Sequence, residues 1–288
     1  MKQEDYPALF LDADAASNLY QSKFLRLIRG EYMVLFLAAV FSMNFFTDVI
    51  YGVLYAGVFF VGLLVLVSRA QTKPEQWWYR CRALAESVKT LTWRYMMRAT
   101  PFEGDEATAK LKLRDELHKM FRENKDVAKQ ITNDWSGNNQ ITEAMVEVRG
   151  LKRVDRMTYY LKHRVDEQRG WYNRKSKTNR DCAKLWFWIS GIAYVLAGSM
   201  VLSRIAYPDW KFWPIEPLIV VATSIVGWMQ IKKFNELAAA YTVAAHEIGL
   251  IRPMADAVTN EASFSEFVND AEKAFSREHT LWIARQSD

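Results

Sequence analysis

The chain has 288 residues, 50% hydrophobic and 14% aromatic, with 38 Lys/Arg against 33 Asp/Glu for a net charge of +5. Two cysteines exclude a small disulfide-stapled fold, and apolar residues gathered into charge-free runs exclude an ordinary soluble domain. The excess basic residues flank those runs and come with no recognition motif, so nucleic acid is not an expected partner.

Residues 1–16 are acidic and weakly patterned and read as a loose tail. Residues 17–28 (SNLYQSKFLRLI) space Leu19, Phe24, Leu27 and Ile28 at a helical period, which predicts an amphipathic lead-in helix. Residues 32–68 carry one formal charge, Asp48. That stretch is too long for one membrane crossing, which takes roughly 20 apolar residues, and suits two. Asp48 falls at the turn between them, where a charge is cheap. Residues 32–47 and 49–68 are therefore expected to form a transmembrane hairpin, with Asn44 as the strongly polar side chain inside its first crossing. A buried helical hairpin in a soluble protein is the competing reading.

Past the hairpin, residues 77–102 (WWYRCRALAESVKTLTWRYMMRATPF) repeat apolar positions at steps of three and four. Pro74 suits the first turn of this helix, and Pro101 ends it. Residues 107–130 predict a charged helix with Leu111, Leu113, Leu117, Met120, Phe121 and Val127 as its apolar members. Residues 133–139 (NDWSGNN) are turn material. Residues 141–149 (ITEAMVEVR) fit either a helix capped by Thr142 or a short strand. From residue 151 to residue 188 only Gly170 weakens a helical reading. Tyr160, Arg164, Gln168, Trp171, Lys175 and Asn179 recur at steps of three and four and share one face. This helix runs into a third apolar run, residues 185–203, which is free of charge. A fourth covers residues 217–231. Between them, Tyr207, Trp210, Phe212 and Trp213 suit a headgroup interface. Residues 234–251 predict a small-residue helix, and residues 264–284 a last amphipathic one.

The fold expected is all-α, with four transmembrane helices in two hairpins and long cytoplasmic helical extensions. Residues 69–184 hold 26 Lys/Arg against 16 Asp/Glu, while residues 204–216 balance to zero. Arg26, Arg29, Arg69, Lys73, Lys175, Lys177, Arg180, Lys184, Lys232 and Lys233 all flank the crossings on one side. That side is expected to be cytoplasmic, with both termini on it. Residues 1–31 are mixed in charge, and no signal peptide is expected. The two halves rhyme in architecture. Residues 17–150 and 151–288 each read as a two-crossing module with cytoplasmic helices.

No Gly-rich phosphate loop, compact metal signature or paired nucleophile and base occurs. His118, His163, His246 and His279 are scattered, and Cys81 and Cys182 read as packing residues. No enzyme, cofactor or metal is expected. The polar groups on otherwise apolar helical faces are Glu86, Glu278 and the pair His246-Glu247. Read as a switch, they form buried ion pairs with Arg or Lys of residues 160–180; read blandly, they are solvated rim charges. Lys89, Trp93, Tyr172 and Trp282 share these segments and join the candidate switch or packing set. In the crossings, Asn44, Ser190, Gly198, Thr223 and Ser224 are candidates for pore lining or close packing.

The pattern Tyr160, Arg164, Gln168, Trp171-Tyr172, Lys175, Asn179 followed by a hairpin resembles the SLATT domains, two-crossing modules found beside bacterial nucleotide-second-messenger synthases and nucleotide-sensing domains. Residues 77–102, with Ala85-Glu86-Ser87, Trp93 and Pro101-Phe102, resemble a sister subtype. Glu278-His279 and Trp282 fit how such domains end. The resemblance implies two modules in tandem over residues 10–286. It also implies a bacterial inner-membrane effector of an anti-phage or conflict system that oligomerises or opens and permeabilises the membrane. No synthase or sensor domain is fused in the sequence, so a nucleotide signal or protein partner is expected to supply the trigger. A constitutive small-ion channel and a scaffold recruiting a soluble partner are the alternative functions.

Overall fold

The computed structural model describes residues 1–131 and 139–287, with residues 277–287 as helical backbone only. The turn predicted over residues 133–139 lies outside the described residues except for Asn139. All regular structure among the described residues is helical. A 3₁₀ turn at Gln3–Asp5 precedes α1 (Ala8–Phe41), α2 (Val49–Thr72), α3 (Pro74–Met96), α4 (Glu106–Glu123), α5 (Lys125–Ala128), α6 (Glu143–Gly150) and α7 (Arg153–Tyr160). A π-helical segment, Leu161–Asp166, leads into α8 (Glu167–Ala206). α9 (Ile215–Lys232), α10 (Phe234–Met254), a 3₁₀ turn and α11 (Glu261–Ser287) complete the chain.

The expectation of four crossings is corrected to three. Among the described residues, three helical stretches are long and apolar enough to cross a membrane: Val49–Met96, Arg153–Ala206 and Ile215–Ala257. The stretch expected as the first crossing does not qualify. α1 ends at Phe41, so its apolar end, residues 32–41, spans only about 15 Å of helix, half of a hydrocarbon core about 30 Å thick. The turns before it carry Arg26, Arg29 and Glu31. Asn44 lies beyond the helix, exposed and with a left-handed φ of 52°. Its N–H bonds the Phe41 carbonyl at 3.2 Å, so it ends α1 rather than sitting inside a crossing.

Other boundaries follow local chemistry. Pro74 takes the first position of α3, where a missing N–H costs nothing. The Asp105 carboxylate accepts from the Thr108 N–H at 3.0 Å and caps α4. Residues 141–149 resolve as helix: the Thr142 hydroxyl accepts from the Met145 N–H at 3.3 Å and starts α6. Gly170 lies inside α8 and does not break it.

The chain divides into two compact units. Unit 1 comprises Met1–Gln21, Glu75–Lys175 and Ala240–Asp288. It has a core of the soluble kind, in which Trp93, Tyr95, Met96, Phe102, Leu113, Met145, Tyr160 and Phe264 are fully buried. The Gln140 side chain accepts from the Leu9 N–H at 3.1 Å, closing the start of α1 within this unit.

Unit 2 comprises Ser22–Pro74 and Ser176–Ala239. Its pattern is inverted. α2 has no buried residue, and Val49, Ile50, Phe60 and Leu64 are exposed. The buried positions of α8 here are small: Ser176, Ala183, Ser190, Ala193 and Ala197. Large side chains outward and small ones inward is the arrangement of helices that pack in lipid. Close approaches mark the contacts. A Cβ on Gly62 would lie 2.9 Å from Val34 Cγ1, and one on Gly227 2.5 Å from the Tyr32 hydroxyl. Arg69 pairs with Glu31 at 2.9 Å.

Candidate functional site

Three of the candidate residues in unit 1, Trp93, Tyr160 and Arg164, meet at one buried pair. Arg164, 3% exposed, donates from Nε to Glu272 Oε1 at 2.9 Å and from Nη2 to Oε2 at 2.7 Å. Glu272 is fully buried and also accepts from the Tyr160 hydroxyl at 2.9 Å. All three polar arms around the carboxylate are thus satisfied, which such a charge requires inside a protein. Aromatic rings complete the enclosure. The guanidinium lies 4.9 Å from the Phe275 ring centre and 6.0 Å from that of Trp93. Trp93 donates from Nε1 to the Tyr6 hydroxyl at 3.1 Å. Burial holds the Tyr6 hydroxyl well above the ordinary tyrosine range.

The helical pattern explains these positions. Tyr160 and Arg164 are four apart, and Arg164 sits inside the π turn. On α11, Phe264, Val268, Ala271 and Phe275 form the buried stripe, and Glu272 falls on it. A carboxylate on an apolar stripe was the available sign of this partner. Helical spacing singles out Glu86 and Glu278 among the carboxylates, not Glu272. Glu86 pairs with Arg82 at 2.7 Å, and Arg82 also reaches Asp14 at 3.0 Å. Lys89 is half-buried, in the electrostatic range of Glu86, Arg164, Arg82 and Glu272. The side chains of Glu278 and Trp282 lie outside the described residues.

Two more buried arginines act on the end of α3, where carbonyls lack helical partners. Arg149 donates to the carbonyls of Tyr95 (2.6 Å), Phe102 (2.8 Å) and Gly104 (2.9 Å), and lies 4.8 Å from the Tyr95 ring centre. Burial pulls its pKa below the usual arginine value. Arg156, 1% exposed, donates to the Met97 carbonyl at 2.6 Å and to Glu261 at 2.5 Å. Sequence reading missed both, because a basic residue among charged helices looks solvated until its neighbours are known.

The remaining candidates are dispersed. Trp171 and Tyr172 pack on Tyr241, with ring centres 5.4 and 5.6 Å away. Lys175 lies 5.8 Å from the Trp171 ring centre. Gln168 is half-buried on the same helix. In unit 2, Asn179 and Ser224 are half-buried, Ser190 is buried, and Gly198 is exposed. Thr223 returns its hydroxyl to the Ile219 carbonyl at 2.9 Å. A cleft of about 610 Å³ in unit 1 is lined by Glu103, Glu261, Glu266 and Asp270 against Arg98 and Lys273, an acidic balance that disfavours a polyphosphate ligand there. Among the described residues no group of three or more His, Cys, Asp or Glu is placed to hold a metal ion.

Two family models match. Residues 7–157 match SMODS and SLOG-associating 2TM effector domain 3, and residues 160–282 match SMODS and SLOG-associating 2TM effector domain 1. The chain belongs to the SLATT family. No curated protein and no solved structure matches it. The family and the three apolar helices together support a membrane-associated effector role in a signalling system, in a multi-pass protein. The two SLATT matches meet beside Tyr160, at the end of α7. Each contributes residues to both compact units. The core of unit 1 is therefore a seam between SLATT modules. Trp93 comes from the first match, and Tyr160, Arg164 and Glu272 come from the second. Arg156 to Glu261, and Thr100 to Ser265 at 3.0 Å, cross the same seam.

Proposed function

We propose that this chain is a bacterial inner-membrane effector of an anti-phage or conflict system, held closed by the seam in unit 1 and opened through it to permeabilise the membrane. The observation that carries this reading is the buried Arg164–Glu272 pair. A soluble-type core rarely keeps an ion pair for stability alone, since apolar residues of similar volume do as well or better. Its worth lies in specifying one arrangement of two modules that another arrangement would break. The action is non-enzymatic, and the trigger is a nucleotide-signal or protein partner met by unit 1.

The segment between the first and second apolar helices, residues 73–184, faces the cytoplasm in this reading, supported by the Lys/Arg excess of residues 69–184. Single cysteines placed in α4 and labelled from each side of the membrane test the assignment. Labelling from the outer side alone would overturn it.

Assembly into a homo-oligomer is supported by α2, which has no buried residue, and by Gly191 and Gly198, where a Cβ would meet nothing within 4 Å. These surfaces are open to lipid or to further copies. Ser190, Gly198, Thr223 and Ser224 are the proposed packing or path-lining positions. The test is expression in bacterial cells with a membrane-potential dye. Collapse of the potential on triggering, with growth arrest, is expected. A maintained potential in arrested cells would favour recruitment of a soluble partner instead.

A further inference from the structure

The segment Leu161–Asp166 is π-helical, between α7 and α8. Its effect shows in which residues are buried. Within unit 1, Arg156 and Tyr160 are buried before it and Tyr172 after it. At 100° per residue in an unbroken α-helix, Tyr172 would lie roughly 160° around the axis from Arg156. A π turn closes its hydrogen bonds from i to i+5 and so takes up one residue more than an α turn. With that residue taken up, Tyr172 lies roughly 60° from Arg156, on the side Tyr160 shares. The π turn thus sets the phase of α8. Arg164, inside it, is bound at two points by Glu272.

We propose that Leu161–Asp166 is a register switch: when the Arg164–Glu272 contact opens, the π turn reverts to α geometry and the helix beyond it turns by about 100° about its own axis. This rests on the reading above that unit 1 controls the membrane part. In unit 1 the buried place of Tyr172 is then offered to the residue one earlier, Trp171. α8 is one helix to Ala206, so the turn is carried along it to Ser190 and Ala197, which are buried in unit 2 beside the larger Ile189 and Leu196. Bringing the larger side chains into those places is destabilising, so the contacts of α8 in unit 2 loosen or rearrange. Loss of a buried contact in unit 1 thereby reaches the helix packing of unit 2.

The test uses thiol labelling of the full chain in detergent, with Cys182→Ser and Tyr172→Cys. Tyr172 is 6% exposed and Cys81 fully buried, so Cys81 reports general opening of the core. Glu272→Gln is expected to raise labelling of the introduced thiol at least tenfold more than that of Cys81. Deleting Lys162, which is exposed, removes the extra residue while keeping the present phase. Added to Glu272→Gln, the deletion is expected to restore protection. Arg164→Lys, which keeps the charge but not the two-point contact, is run in parallel and read in the same way. Protection unchanged by either substitution overturns the proposal. So does exposure that the deletion fails to reverse, or exposure of both thiols together in both variants. Trapped-dye release is followed alongside. Reversible exposure without release leaves the switch standing and removes the permeabilising function.

Discussion

Replacing Glu272 with alanine tests whether the buried pair is set as described. The carboxylate is fully buried and its partner guanidinium is 3% exposed. Its loss leaves Nε and Nη2 of Arg164 and the Tyr160 hydroxyl without their acceptor. Breaking a buried pair from one side costs about 3–5 kcal/mol, because the remaining charge has no water to turn to. Removing both charges together, as Arg164→Met with Glu272→Leu and Tyr160→Phe, avoids that penalty, and the cost is expected to fall below about 1 kcal/mol. The assay is loss of helical ellipticity in urea, in detergent, with the two variants and the parent compared at equal slope. A cost for Glu272→Ala under about 1 kcal/mol, the range of exposed pairs, would refute the burial and the pairing. A triple variant as unstable as the single one would refute the claim that the stranded charge is the cause.

Arg149→Lys keeps the charge but cannot serve the carbonyls of Tyr95, Phe102 and Gly104 together; a loss of about 2–3 kcal/mol is expected in the same urea assay. Tyr6 binds its proton more tightly in the folded chain than in the unfolded one. Stability is therefore fully present below about pH 10, the unfolded tyrosine value, and falls as pH rises beyond it. Tyr6→Phe should make that alkaline limb shallower in a pH series of melting curves, with Tyr160, whose pKa burial also raises, keeping part of it. Gly62→Leu forces a side chain into Val34 and is expected to cost about 1–3 kcal/mol, whereas Gly57→Leu meets nothing within 4 Å and should leave the melting temperature in detergent unchanged.

Much of the architecture was legible because hydropathy and helical period are local signals. The all-α class, the start of α3 and the run of α8 into its apolar segment follow from Pro74 and an apolar stretch without charge, whereas residues 141–149 fit a strand as well as the helix that Thr142 caps. The count of crossings was not legible. Residues 32–47 are as apolar as a span, but helix length depends on where α1 stops, and Asn44 in a left-handed conformation is indistinguishable in sequence from a polar residue inside a helix. The site was half legible. Tyr160, Arg164 and Trp93 stood out by spacing and residue type. Their partner Glu272 is more than 100 residues away from Arg164, and only tertiary packing joins them. Arg149 and Arg156 were hidden for the same reason, since their acceptors are backbone carbonyls at a helix end. The π turn leaves one trace, a shift in the phase of buried positions, readable only once burial is known.

The central claim is that breaking one buried contact in unit 1 opens the membrane part. The most direct measurement is release of a trapped dye from liposomes holding the parent chain or Glu272→Gln, with equal amounts of folded, inserted protein. The parent should hold the dye and the variant should release it without any added trigger. Liposomes that stay sealed with the variant, inserted and helical, would contradict the account.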